Sequence, residues 1–166
     1  MKLVLIRHAD AGDADAIRYP DDRTRPLTTA GEREHAAVAG ALALLDLHVT
    51  DVLSSPLARA RQTATITARA LDVAEVRVVD ALGDRFRMDD LLAELSALPP
   101  DATVACVGHE PHMSRLAARL LHADGNIRVA FAKSAVMVLD FQGHPGRGTA
   151  RLVFFMSPRE TLRLIE

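Results

Sequence analysis

The first residues that could do chemistry are Arg7 and His8, which directly follow a short apolar run. The run Leu3 to Ile6 has the length and aliphatic composition of a buried strand. Because open α/β sheets bind ligands at the carboxyl ends of their strands, Arg7 and His8 would lie at a ligand-binding edge. There an arginine can bind an anion, and an imidazole can act as a nucleophile or a base. The alternative is a solvated strand end without a function.

Arg59 is the second candidate, and it follows another short apolar run. Ser54 ends that run, and the next two residues predict a helix start with Ser55 as N-cap and Pro56 at the first helical position. A helix N-terminus at this edge favours anions. Arg59, about one turn into the helix, could bind phosphate through two parallel hydrogen bonds. Arg61 fits an ordinary exposed helix position, which is also the alternative for Arg59.

The third candidate is His109, in the segment Gly108-His109-Glu110-Pro111-His112 after another apolar run. Gly108 permits a tight turn that would place His109 over the strand end. A metal site at His109 and His112 is an alternative, but the two-histidine i,i+4 arrangement of zincins is missing and no cysteine is nearby. We expect His112 to lie on a helix face or to support its neighbours.

These three strand ends deliver two histidines and two arginines toward the same edge of a sheet. The set supplies a nucleophile and several fixed positive donors. Phosphoryl transfer needs both when the charge on the equatorial oxygens is neutralised by side chains.

The elements that must position these residues follow from the alternation of short apolar runs with longer helical patterns. This alternation predicts a three-layer α/β fold, with a mainly parallel sheet and helices on both faces. The last two strands flank a Gly- and Pro-rich stretch, 142–149, and should form a hairpin. Strand patterns fall at 3–6, 51–54, 75–79, 103–107, 135–141 and 150–155, and helical patterns at 30–45, 56–71, 88–98 and 111–121.

A long loop is predicted between the first strand and the first helix. The segment from Ala9 to Leu27 contains five aspartates and three arginines and has no regular periodicity. Loops of this length in compact domains are usually functional. Thr29 and Glu32 then form a capping-box pattern that predicts the start of the helix.

The composition is that of one domain over residues 1–166, because 49% of the residues are hydrophobic and can fill a layered core. A formal net charge of −2 gives no reason to expect nucleic acid or an anionic membrane as partner. The apolar runs are too short for a signal peptide or a membrane span. The single cysteine, Cys106, should be buried in a strand and cannot form an intramolecular disulfide. We therefore expect a cytoplasmic protein.

The combined motifs resemble the histidine phosphatase superfamily, with its phosphoglycerate mutase-like fold, and within it the SixA-type phosphohistidine phosphatases. The superfamily's Arg-His-Gly motif corresponds to Arg7-His8-Ala9. The resemblance covers almost the whole chain. Its segments are Leu3 to Asp10, Arg25-Pro26-Leu27-Thr28 with Gly31 and Glu32, Ser55-Pro56 with Arg59-Ala60 and Gln62-Thr63, Val107 to Pro111, Ser134-Ala135, and Met156-Ser157-Pro158.

The resemblance implies roles for the candidate residues. His8 would be the nucleophile, and Arg7, Arg59 and His109 would complete the phosphate pocket. It also implies a metal-independent reaction without an organic cofactor. Arg25 lies in a matching segment and is expected to bind substrate at the entrance, unless it only anchors the loop.

Two departures from the superfamily pattern matter. Ala9 replaces the usual glycine and restricts the backbone beside the nucleophile. Many relatives also carry an acidic proton donor after the third strand, where this chain offers Asp80 or Asp84 without a clear match. Phosphohistidine tolerates such a gap better than an alkyl phosphate, because imidazole takes up a proton near neutral pH.

We therefore expect a phosphatase that removes phosphate from phosphohistidine in a protein, such as a histidine phosphotransfer domain. One alternative is a phosphomonoesterase acting on a small phosphate ester, although the short chain leaves little room for an enclosing insertion. The other is a non-catalytic phosphate-binding module.

Overall fold

Residues 1–164 are described by the computed structural model, and their strands form one six-stranded sheet. Single turns of 3-10 helix occur at Asp22–Thr24 and Asp80–Leu82. In chain order, the remaining elements are β1 (Lys2–Arg7), α1 (Thr29–Ala43), β2 (Asp51–Ser54), α2 (Ala58–Ala70), β3 (Val76–Val78), α3 (Met88–Ser96), β4 (Thr103–Gly108), α4 (His112–Leu121), β5 (Val136–Asp140), β6 (Arg151–Met156) and α5 (Pro158–Leu162).

The strand order is β3-β2-β4-β1-β5-β6, and the first four strands of this order are parallel to one another. β5 is antiparallel to β1 and forms the expected hairpin with β6. The predicted α/β fold with a mainly parallel sheet is therefore confirmed. Since β4 lies between β2 and β1, the ends of the three strands that precede the candidate residues are neighbours. Arg7 pairs with Gly108, and Ser54 pairs with Val107.

Side chains of β1 alternate between two cores. Val4 and Ile6 pack in the layer that contains α1, α2 and α5, whereas Leu3 and Leu5 pack in the layer that contains α3 and α4. All four side chains are fully buried. Each contributes about 1.5–3 kcal/mol by leaving water, so both faces hold β1 and its end firmly in place. Cys106 is also fully buried, as expected for a strand residue.

Two helices begin at other residues than the sequence predicts. The N-cap of α1 is Thr28, whose hydroxyl accepts a hydrogen bond from Gly31 N at 2.9 Å, so the predicted Thr29 and Glu32 capping pair is wrong by one residue. The reason is that Thr28 already has the extended backbone of an N-cap. α2 begins after Leu57 rather than after Ser55, because Leu57 is extended and buried.

The predicted loop between β1 and α1 is confirmed, with one 3-10 turn inside it. A turn of three residues leaves no periodicity in a sequence, which is why the pattern missed it. α5, with five residues, is also too short to leave a periodic pattern and is absent from the sequence prediction. It begins with a capping box formed by Ser157 and Glu160. Within residues 1–164, no helix combines the length and the apolar character that a bilayer crossing requires.

Candidate active site

His8 and His109 face each other at the carboxyl ends of β1 and β4. Their ring centroids are 4.9 Å apart, and the ring planes are inclined by 52°. The backbone continues the strand pairing at this point, because His8 N donates to Gly108 O at 2.9 Å. Both histidines are buried, with about one twelfth of their surface exposed. The sheet therefore holds the two imidazoles close together and shielded from solvent.

The ring of His8 has a defined tautomer. Its Nδ1 lies 2.7 Å from the carbonyl oxygen of Ala9, and since a carbonyl can only accept, Nδ1 must donate a proton. The lone pair then belongs to Nε2, the nitrogen that can act as nucleophile. Burial lowers the pKa of His8 to about 4, and the positive charges of Arg59 and Arg7 act in the same direction. His8 is therefore neutral near pH 7.

We predict that NMR will find His8 as the neutral Nδ1–H tautomer at pH 6. The imidazolium should form only as the pH falls toward 4, because burial opposes its charge. In the unfolded chain His8 titrates near 6.5, so acidification below that value protonates the unfolded state preferentially and lowers the free energy of unfolding. Imidazole ¹⁵N shifts, assigned with a His8→Gln variant, measure both properties. Titration near 6.5, or a proton on Nε2, would contradict the assignment.

Ala9 fits beside His8 without strain. It is not among the residues with positive φ, so a glycine is not required there. Its amide donates to Thr63 Oγ1 at 3.0 Å, and its buried methyl packs with Ala11 and Leu27. The alanine that replaces the glycine of the Arg-His-Gly pattern thus adds an apolar contact.

Buried nitrogens without partners are concentrated around the two histidines. Within the described chain, the buried side-chain atoms that lack a hydrogen bond are Arg7 Nε, Arg59 Nε, His109 Nδ1 and His112 Nδ1. Buried polar groups normally have partners. The arginines also each donate through NH1 to a carbonyl oxygen, Arg7 to Phe131 at 2.6 Å and Arg59 to Asp22 at 2.9 Å. These contacts fix the two guanidinium groups and leave donors for an anion.

Ser55 has a role that the sequence did not indicate. Its hydroxyl lies 2.7 Å from Nε2 of His109 and also accepts a weak bond from Leu57 N at 3.3 Å. The pKa of His109 falls to about 3, chiefly through burial and secondly through the nearby His8. The ring is therefore neutral, and a proton donated by Ser55 to Nε2 would leave Nδ1–H as a further donor.

Arg25 lies beside the site but most of its donors bind the loop. Its Nε lies 2.6 Å from an oxygen of Asp22, and its NH1 donates to the carbonyls of Ala11 and Gly12 at 2.9 and 2.8 Å. Asp22 also lies 3.1 Å from NH1 of Arg59, and Arg25 followed by Arg59 lowers the pKa of this carboxyl. These contacts are those of a loop anchor, and substrate binding by Arg25 stays a prediction.

The two candidate proton donors differ in position. Asp84 is exposed and lies 3.8 Å from Arg23. Burial lowers the pKa values of Arg59 and His112, and the negative charge of Asp84 partly opposes this lowering. Asp84 is therefore within electrostatic reach of the site. Asp80 begins a 3-10 turn, and none of its contacts among residues 1–164 joins it to the histidines. The geometry favours Asp84.

Ser134 and His35 hold the carboxyl end of β1 in place through hydrogen bonds. The amide of Ser134 lies 3.2 and 3.3 Å from the carbonyl oxygens of Arg7 and His8. His35 is fully buried and bridges the hydroxyls of Ser134 and Thr67, at 3.1 and 2.9 Å. Burial lowers the pKa of His35 to about 4, so it is a neutral structural bridge.

His112, the second histidine of the metal alternative, begins α4 and stacks on Phe86 with ring centroids 5.1 Å apart. Its position on a helix agrees with the prediction. No group of three or more His, Cys, Asp or Glu side chains in a metal-binding arrangement was found among the described residues.

A comparison with protein families matches residues 3–86, just over half of the chain, to the Histidine phosphatase superfamily (branch 1). The chain belongs to this superfamily. An uncharacterized protein of Picosynechococcus sp. strain PCC 7002 is 36% identical over 141 residues, which are 84% of each chain. Phosphatase activity is the general function that membership in the superfamily supports.

Solved structures of the superfamily agree with the resemblance to SixA. The protein histidine phosphatase SixA complexed with tungstate matches with a TM-score of 0.81 and 28% identity, over 96% of this chain and 99% of that chain. A candidate phosphohistidine phosphatase SixA from Nakamurella multipartitia matches with a TM-score of 0.74 and 33% identity, over 95% of both chains. The chain is therefore SixA-like in fold and sequence.

Proposed function

We propose that this histidine phosphatase removes phosphate from phosphohistidine in a protein, by way of a covalent phosphohistidine on His8. The observation that carries the proposal is the neutral ring of His8, with its Nδ1 proton held by Ala9, facing the unpartnered donors of Arg7, Arg59 and His109. A nucleophile with fixed positive donors around the transferring group is what phosphoryl transfer requires. The SixA neighbours, one of which is called a protein histidine phosphatase, point the same way.

The first step forms the covalent intermediate. Nε2 of His8 attacks phosphorus, and the bond from phosphorus to the substrate's imidazole nitrogen breaks. The leaving imidazole carries a proton on its other nitrogen, so it departs as a neutral ring. The guanidinium groups of Arg7 and Arg59 stabilise the charge on the equatorial oxygens, because they are preorganised by their bonds to backbone carbonyls.

The second step restores the enzyme. A water attacks the phosphorus bound to His8, the N–P bond breaks, and inorganic phosphate leaves while the water's proton passes to phosphate or solvent. His8 returns to the neutral form that its low pKa favours. The donors of Arg7, Arg59 and His109 serve both steps, since the same three oxygens are present in each.

The substrate preference follows from the position of the proton donor. Asp84 is the acid favoured by geometry, yet its side chain is 57% exposed and lies near Arg23. An exposed carboxyl that is paired with an arginine is not held against a leaving group, which disfavours alkoxide leaving groups. Imidazole as leaving group avoids this problem.

We predict that kcat/KM for a phosphohistidine peptide exceeds that for glycerol phosphate by on the order of 10²-fold, the low end of a general acid's contribution. Asp84→Asn should impair the alkyl phosphate more than phosphohistidine, and Asp80→Asn, which has no contact with the histidines within residues 1–164, is the matched control. Steady-state kinetics on both substrates measure the ratio. Comparable turnover of glycerol phosphate with strong dependence on Asp84 would instead indicate a small-molecule phosphomonoesterase. The absence of turnover on either substrate would indicate a phosphate-binding module.

A further inference from the structure

A basic groove runs beside the candidate active site, between α1 and α2. Its volume is about 730 Å³. Thr24 and Ala58 are among its lining residues. Thr24 precedes Arg25 and Ala58 precedes Arg59 in the sequence, and both of these arginines bind Asp22 beside the site. Because α1 and α2 both begin at the carboxyl edge of the sheet, the groove leads away from the histidines along the helix surface.

The lining of this α1–α2 groove carries a net positive charge. Arg33 of α1 and Arg61 and Arg69 of α2 line it, all three are exposed, and Glu32 is the acidic residue among its lining side chains. None of the three arginine side chains forms an ion pair or hydrogen bond within residues 1–164. The whole chain carries a net charge of −2, so this concentration of positive charge is local.

The lining of the groove also includes the apolar residues Pro26, Ala36 and Ile66. These residues are called the floor of the groove below, and the three arginines its rim. Arg61 and Arg69 are eight residues apart on one helix, which places them about 12 Å apart along its axis. Carboxylates on one face of a partner helix recur every three or four residues, at steps of about 5–6 Å. An amphipathic helix with acidic flanks would therefore match both the floor and the rim.

We propose that the α1–α2 groove docks an acidic amphipathic helix of the phosphorylated protein, next to its phosphohistidine. The inference rests on the proposed function, because it assigns a protein rather than a small ester as substrate. Charge complementarity selects the acidic helix. Duplex nucleic acid fits less well, since its backbone offers nothing to the apolar floor and the groove contains Glu32. The groove would supply affinity and orientation, and the histidines the chemistry.

The test compares two synthetic helical peptides that carry phosphohistidine, one with glutamates on the docking face and one with glutamines at those positions. The wild-type protein should prefer the acidic peptide by about tenfold in kcat/KM, mainly through KM, because several exposed ion pairs each contribute a modest amount. The preference should disappear near 1 M salt. The triple variant Arg33→Glu, Arg61→Glu, Arg69→Glu should lose it, while turnover of a short phosphohistidine peptide that cannot reach the groove stays within about twofold.

A matched control reverses charge on the other helix layer. Arg119→Glu with Arg128→Glu should keep the preference, because these arginines line a separate groove beside α4. Circular dichroism and melting temperature verify folding, and milder Arg→Gln changes at the same three groove positions replace the triple variant if it fails to fold.

The docking proposal can fail separately from the proposed function. If the short phosphohistidine peptide is not hydrolysed, the proposed function fails, and fluorescence polarisation with the unphosphorylated acidic helix still tests the groove. Equal affinity of wild type and triple variant for that peptide would overturn docking. Tighter binding of duplex DNA than of the acidic helix, abolished by the same variant, would overturn it as well.

Discussion

Replacement of His8 by alanine is expected to abolish turnover, with a loss of kcat of more than about 10⁴-fold, because the nucleophile and the intermediate it forms are both removed. The wild-type protein, mixed briefly with radiolabelled phosphate donor and then denatured, should retain label that is stable in alkali and lost in acid. That lability is the property of a phosphorus–nitrogen bond. Mass spectrometry of the labelled protein should locate the phosphate on His8, and NMR should place it on Nε2, since Nδ1 is hydrogen-bonded to the carbonyl oxygen of Ala9.

Two comparisons make the His8 result decisive. His144→Ala removes an exposed histidine and should leave labelling intact. His109→Ala should slow turnover by at least ~10²-fold, the scale of one lost donor, yet still allow slow labelling of His8. Retained turnover in His8→Ala, or label found on His109, would reverse the assignment of the two rings.

Loss of Arg59 is expected to reduce kcat/KM by about 10²- to 10³-fold, as is loss of Arg7, because each removes a preorganised donor to the transferring phosphoryl group. Both guanidinium groups are held in place before substrate arrives, by the carbonyls of Asp22 and Phe131 respectively. Arg59→Lys should recover only part of the loss, since an ammonium keeps the charge without the planar fork. Steady-state kinetics with a short phosphohistidine peptide measure the effect, and vanadate inhibition should weaken in parallel.

Arg128→Ala is the matched control for charge, because Arg128 is exposed in the loop after α4. It should leave kcat/KM for the short peptide close to the wild-type value. A harmless Arg59→Ala would show that Arg59 takes no part in binding phosphate and that this buried arginine only anchors the loop through Asp22.

Much of the site could be predicted because its signals are local. An apolar run followed by Arg7 and His8, or by Gly108 and His109, predicts a strand and then a polar strand end without knowledge of the rest of the chain. Alternation of strand and helix patterns then predicts a parallel sheet, whose strands end at a common edge. These two inferences bring the candidate histidines to the same side of the molecule.

Other features depend on contacts between distant residues, and no local pattern contains them. Asp22 and Arg59 are 37 positions apart, and only the folded loop brings that carboxylate and carbonyl to the guanidinium group. Ser55 has the sequence context of an N-cap, but in the structure the buried Leu57 is the N-cap of α2. The hydroxyl of Ser55 forms a hydrogen bond with His109 instead. Likewise, only the folded chain shows that Asp84, and not Asp80, lies within electrostatic reach of Arg59.

The sequence by itself determined the residue types at the strand ends, the α/β class and the long loop after β1, because periodicity and turn chemistry act over a few residues. The tertiary structure alone decided that β4 lies between β2 and β1, which makes His8, His109 and Ser55 direct neighbours. It also decided the tautomer of His8 and the orientation of both guanidinium groups. Strand order and buried hydrogen bonds are set by how two whole helix layers pack on the sheet, and that packing is a property of the entire chain.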